Sequence, residues 1–227
     1  SNKVFYRFQQ MLFLLNLFFV LKEGGYRKCI FLSYENLTML PFSYFLKNVS
    51  VIEHNNIDQL LTSKFKSFAY SYTSSKVEHF VFEDYIGEYI SKKYNKNYNV
   101  LAHPERKIQS IKEKKFDKEY VFCPSGDVSY EFLLKLCQFC KQNDYLLIAK
   151  DKYNLTGKCD VIQKSFFEDY DSLFINSKFI AIGVEFSYRI SGVFYEAIAN
   201  HKKVIMNECV FSSNVQSKYI NNIEMVL

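Results

Sequence analysis

The apolar residues of the chain fall into two spacings. Short continuous runs, about four residues each and too brief for a helix, predict buried strands at 29–32, 49–52, 77–82, 99–101, 120–123, 145–149, 159–162, 179–182 and 203–206. Between them, apolar positions at helical spacing predict helices over 83–94, 128–142, 167–176 and 191–200. The segment up to Leu46 reads as helical or irregular. Asn56 is placed to cap a short helix over 57–63, and 66–72 reads as a further strand. Residues 3–22 are apolar on most sides, which predicts a buried helix closed at Gly24-Gly25; a helix face touching a membrane is the alternative. Short apolar strands alternating with helices predict an α/β fold built from βαβ units around parallel sheet.

The pattern breaks once. Residues 104–118 are polar and unpatterned, and read as a linker or as a solvated loop within one domain. Taken as a linker, the run divides the chain into two Rossmann-like halves, 1–107 and 108–227. In such sheets ligands bind beyond the carboxyl ends of strands. That rule selects Glu53-His54-Asn55, His103-Pro104, Pro124-Ser125-Gly126, Lys150-Asp151 and the turn from Gly183 to Ser191.

Composition narrows the picture. Hydrophobic residues make up 48% and charged residues 23% of 227, a globular balance that excludes a disordered chain. Lys and Arg number 29 against 24 Asp and Glu, and the resulting +5 lacks the basic clustering of a nucleic-acid binder. Six scattered cysteines, mostly inside apolar runs, suit buried thiols in a reducing cytoplasm. Cys137-Gln-Phe-Cys140 lies inside a helical pattern, which favours core packing over redox chemistry, and no further ligands stand nearby for zinc. The most apolar stretch, 11–21, is shorter than the roughly 20 residues of a spanning helix, and no small-residue cleavage site follows it.

The segment Ile182-Gly-Val-Glu-Phe-Ser-Tyr-Arg-Ile-Ser-Gly-Val-Phe-Tyr-Glu-Ala-Ile-Ala-Asn-His-Lys-Lys-Val-Ile205 resembles the nucleotide-sugar signature of GT-B-type glycosyltransferases, and of their fourth family in particular. There a Ser- or Gly-bearing turn precedes a helix with Glu-Ala-hydrophobic-Ala, followed by a basic turn and a strand. Val49-Ser-Val-Ile-Glu-His-Asn resembles the strand-then-His element of the same enzymes' other domain, and Asn99-Val-Leu-Ala-His-Pro the end of that domain. The resemblance spans about residues 28–210 and is most specific over 183–205. Retaining members carry two glutamates eight positions apart; eight before Glu196 this chain has Tyr188. It implies two Rossmann-like domains facing across a cleft, the first on the acceptor side, in a compact or shortened member of the group. It further implies transfer of a sugar from a nucleotide-sugar donor to a glycan or lipid-linked acceptor, in bacterial surface polysaccharide synthesis. The implied location is cytoplasmic, with peripheral contact at the inner membrane face. No cofactor and no metal are expected, in keeping with the lack of Asp-x-Asp after a strand.

The residue types suit that chemistry, because the departure of a diphosphate is the difficult step. A helix starting near Ser191-Gly192 offers unpaired N–H groups and partial positive charge, and Gly192 lets the backbone approach a phosphate. Arg189 and Lys150 are candidate catalytic cations, and the Ser191 hydroxyl a donor, as charge develops on the leaving phosphate. Glu196, one turn into the helix, would accept from ribose hydroxyls, and Ser125-Gly126 would line the nucleotide site. His54 is the candidate base or donor-sugar contact, with Glu53 competing for the same role. Each has a plainer reading: surface cations, a carboxylate complementing a helix dipole, an N-cap, a packing glycine and a structural histidine. At the level of function, the alternatives are a non-catalytic protein of the same fold and a related transferase such as a glycerophosphate transferase.

Overall fold

The computed structural model of the chain describes residues 2–46, 48–109 and 116–227. It divides into two compact units, Ser1–Ala102 and His103–Leu227. The polar run expected as a linker is split: its first part, to residue 109, goes with the second unit, and 110–115 lie outside the described residues.

Unit 1 carries helix α1 (Asn2–Glu23) and then a four-stranded, all-parallel sheet of β1 (Cys29–Phe31), β2 (Val49–Ile52), β3 (Glu78–Val81) and β4 (Tyr98–Val100), in that order across the sheet. Its connections are α2 (Asn36–Phe45), the short α3 (Asp58–Thr62) with α4 (Lys64–Ser71), and α5 (Asp84–Tyr94).

Three expectations fail here. Residues 66–72 are helical: Ser63 caps α4 by accepting from the Lys66 N–H at 3.4 Å, and Ala69 and Tyr70 are buried together. Asn56 caps nothing, because its amide is drawn into a buried cluster around Glu53 while Ile57 takes the N-cap position. The third concerns α1, which is a helix over the expected residues but is not buried. Among its described side chains Leu14 alone is fully covered; with Leu17, Phe18 and Leu21 it packs against Phe31, Met39, Phe42 and Leu46, and most of the others are exposed.

Unit 2 is built on a six-stranded parallel sheet, β10-β9-β8-β5-β6-β7. Its strands are β5 (Tyr120–Cys123), β6 (Leu146–Lys150), β7 (Val161–Lys164), β8 (Phe179–Ile182), β9 (Lys203–Met206) and β10 (Ile223–Val226). The chain runs outward from β5 to β7, crosses back, and runs outward the other way from β8 to β10. This is the doubly wound, Rossmann-like order. Helix α6 (Tyr130–Gln142) covers one face, packing Phe132, Leu133, Leu136, Cys137 and Cys140 against Val121, Cys123, Ala149 and Ala181. Alternation turns Phe122 to the other face, where it meets Phe167 and Tyr170 at 5.0 and 5.6 Å between ring centroids. Tyr170 opens α7 (Tyr170–Asn176), and α8 (Gly192–Ala199) and α9 (Val210–Val215) complete the helices.

At the end of β8 the close packing requires a glycine. A Cβ on Gly183 would sit 2.2 Å from Phe132 Cδ1, so only Gly lets α6 lie this close to the sheet. The cysteine pair of α6 is packed in the core as its helical spacing predicted, and all six cysteines are free thiols. Burial pushes Cys123 and Cys140 up to about 12.

Candidate functional site

In a doubly wound sheet the strand order reverses at one point, and the loops leaving the two strands there diverge to open a crevice. In unit 2 that point lies between β5 and β8, which pair through Val121–Phe179 and Phe122–Ile180. The loop leaving β5 is Pro124-Ser125-Gly126, and the loop leaving β8 runs from Gly183 to Ser191. The sheet therefore brings five of the sequence-selected residues to one carboxyl edge: Ser125, Gly126, Arg189, Ser191 and Gly192. Lys150 joins them from the end of β6, the neighbour of β5; a Cβ on Gly126 would meet Lys150 Cγ at 3.9 Å.

Local structure fixes what each can do. Ser191 is buried, and its hydroxyl accepts from the Phe194 N–H at 3.3 Å, making it the N-cap of α8. Gly192 is the first helical residue. It is exposed, and no heavy atom lies within 4 Å of where its Cβ would be. Ser125 accepts from the Asp127 N–H at 3.3 Å, and Gly126 beside it is exposed. Arg189 lays its guanidinium over the Phe186 ring, 4.5 Å from the centroid, and its Nε is buried without a hydrogen-bond partner. The Lys150 ammonium donates to the Ser165 carbonyl at 2.5 Å and sits 4.9 Å from the Phe167 centroid.

Glu196 is engaged elsewhere. Tyr170 donates to its Oε2 at 2.9 Å, and Arg106 donates to its Oε1 while pairing with Asp171 at 2.6 and 2.7 Å. Burial, then Glu196, raises the Tyr170 hydroxyl well above its ordinary range, and the two carboxylates raise Arg106. His103, three residues before Arg106, stacks on Tyr195 at 4.3 Å and 12°. The carboxylate expected to meet a ribose thus serves, in the first place, to hold 103–109 onto α7 and α8. This pairing joins residues 90 positions apart, and nothing in the local pattern around Arg106 announces it.

His54 lies in unit 1, two residues beyond β2, with its ring edge-on to Phe82 at 5.9 Å and Nδ1 buried without a partner. Its neighbour Glu53 is the better-built group. It is 1% exposed and accepts from Tyr34 at 2.9 Å, Tyr70 at 2.9 Å, His79 Nδ1 at 2.6 Å and Asn56 at 2.6 Å. Burial and the adjacent carboxylate push both tyrosines far above their ordinary range. The His79 side chain is equally buried, and its Nε2 has no partner. A carboxylate with four donors and no solvent has satisfied its lone pairs; it locks β2, β3 and α4 together. The signal was a lone Glu at the end of an otherwise buried strand, three residues before Asn56.

No protein-family model matches the chain, and no curated protein matches its sequence.

Proposed function

We propose that the chain is a glycosyltransferase of the two-domain, Rossmann-like kind. Unit 2 would hold a nucleotide-sugar donor, and unit 1 would stand on the side of a glycan or lipid-linked acceptor of a bacterial surface polysaccharide. The observation that carries this is the reversal of strand order between β5 and β8, with the glycine-bearing loops 124–126 and 183–192 leaving from it. The open surface above Gly126 and Gly192 leaves room for a diphosphate against the backbone, and the first N–H groups of α8 have no partner within the helix.

In this reading Arg189 and Lys150 stabilise charge on the departing nucleoside diphosphate, a role the cations fill without a metal. Stacking on Phe186 and Phe167 holds both flexible cations near the edge without neutralising them. His54 serves as the base toward the acceptor hydroxyl. A placement of the two sheets' carboxyl edges about one cleft belongs to this proposal. The engagement of Glu196 by Arg106 and Tyr170 favours a second reading, a nucleotide-binding protein without turnover.

Binding and turnover of UDP-, GDP- and CMP-sugars by the full chain separate the readings. The enzyme reading expects one donor to bind at millimolar affinity or better and to be consumed, with Lys150→Ala and Arg189→Ala each slowing turnover by roughly 10²-fold. Binding without consumption favours the second reading. Failure of every donor to bind ends both.

A further inference from the structure

We propose that α1 is an in-plane membrane anchor, lying in the headgroup–acyl boundary of an anionic bilayer and carrying unit 1 on its protein-facing stripe. The inference stands on unit 1 alone and is independent of the nucleotide reading. At 1.5 Å per residue the helix is roughly 33 Å long. Leu14, Leu17, Phe18 and Leu21 face the unit's core. Spacings of three and four place Phe5, Phe8, Leu12, Leu15 and Phe19 on the opposite side, exposed by 43% to 62%.

The flanks are largely apolar too: Val4, Met11, Phe13 and Val20 are all at least 43% exposed, with Gln9 and Asn16 the polar residues among them. A second copy packed along a two-helix seam would cover only a narrow stripe and leave these flanks in water. A bilayer surface covers the whole remaining arc. Charge agrees with an anionic surface where the helix ends: Lys22 and Arg27 lie there against one carboxylate, Glu23, while Arg7 turns to Glu35 of the unit at 4.0 Å. Where α1 ends, a cleft of about 320 Å³ is lined by Phe18, Leu21, Tyr26 and Phe45 together with Lys22 and Lys28. Apolar walls beside the Lys22 ammonium suit the chain and phosphate of an anionic lipid; the Lys28 ammonium is held by Glu78 at 2.7 Å. The same 20 residues, Val4–Glu23, are long and apolar enough to span a bilayer by length and composition. Spanning would require the Leu14–Leu21 stripe to leave the core it packs against.

The chain contains no tryptophan, so one introduced Trp reports unambiguously. Full-length Phe5→Trp, Leu12→Trp and Phe19→Trp variants are mixed with phosphatidylcholine vesicles with or without roughly one third phosphatidylglycerol, including brominated lipids as depth quenchers. The anchor predicts blue-shifted emission on anionic vesicles, weakened by salt, with all three positions quenched at one shallow depth and Phe166→Trp of unit 2 unaffected. The combined variant Leu12→Gln, Leu15→Gln, Phe19→Gln should keep its circular dichroism and melting temperature, yet lose at least about tenfold in vesicle affinity. Three results would overturn the proposal: wild-type protein that stays in the supernatant, a Leu12→Trp probe deeper than both ends, or wild-type dimers that the triple variant dissociates in solution.

Discussion

The two units distribute polarity in opposite ways. Of the large apolar side chains exposed among the described residues, twenty lie in unit 1 and four in unit 2. Of the buried polar and charged side chains, eleven lie in unit 1 and three in unit 2, and those three are serines. Unit 2 is the ordinary case: a parallel sheet covered on both faces and apolar within, with the sequence-selected loops at its carboxyl edge. Unit 1 holds two carboxylates (Glu53 and Glu83), a histidine, two tyrosines and a lysine inside, and presents phenylalanines outside. The buried set is tolerable because it is matched: Glu53 has four donors, and the Lys96 ammonium donates to the Thr73 carbonyl at 2.6 Å. The exposed set has no such answer within the unit, which is the physical reason to look for an apolar environment beyond it.

The largest effect that would break this contrast is at Glu53. Glu53→Ala leaves Tyr34, Tyr70, His79 and Asn56 without their acceptor and should destabilise unit 1 by about 3–5 kcal/mol. Hydrogen exchange should show loss of protection in β2, β3 and α4 with unit 2 unchanged; equal loss in both units would dissolve the distinction. In unit 2 the corresponding test is steric. Gly183→Ala drives a methyl into Phe132 and should cost about 1–3 kcal/mol, read by denaturant unfolding of the β5–β8 region.

Alkaline pH separates the units by the groups they bury. Cys123 and Cys140 have folded values raised above the ordinary thiol value of 9.0 to about 12. Their contribution is therefore whole below pH 9 and is lost as pH rises toward 12, at about 1.4 kcal/mol per pH unit for each thiol. In unit 1 the partly buried Cys29 thiol is raised from the same 9.0 by a smaller shift, and Tyr34 and Tyr70 act with the same sign only from the ordinary tyrosine value of 10.0 upward. Unit 2 should soften more steeply above pH 9, and Cys123→Ala should flatten its decline. The smallest effect is expected at Arg106. It pairs with Asp171 and Glu196 at a half-exposed site, so Arg106→Ala should cost at most about 1 kcal/mol while raising hydrogen exchange in 103–109.

The strands were the most legible part of the sequence. The runs 49–52, 120–123, 179–182 and 203–206 are strands at those residues, because continuous apolar runs this short have few other ways to be buried. β10 was missed: Ile223-Glu-Met-Val is half-exposed and gains its place only by pairing with β9. The strand expected at 66–72 is part of helix α4: Phe65, Phe68 and Tyr72 recur at three and four residues, the spacing of a helix, whose buried members are Ala69 and Tyr70. Apolar composition gave α1 its helix but could not tell what covers it. At the carboxyl edge of unit 2, the strand-end rule selected the loops that the sheet brings together. The Arg106–Glu196–Tyr170 cluster and the Glu53 network were beyond it, since each depends on partners far apart in the chain.

The central claim is that the β5–β8 reversal point holds a nucleoside diphosphate, and a structure of the full chain with UDP or GDP tests it most directly. The account predicts the diphosphate against the backbone of Gly126 and Gly192, with Arg189 and Lys150 toward its oxygens. It also predicts loss of binding in Gly192→Asp, whose side chain has room to fold but sets a negative charge there. A nucleotide found elsewhere, or Gly192→Asp binding as well as the wild type, would contradict it.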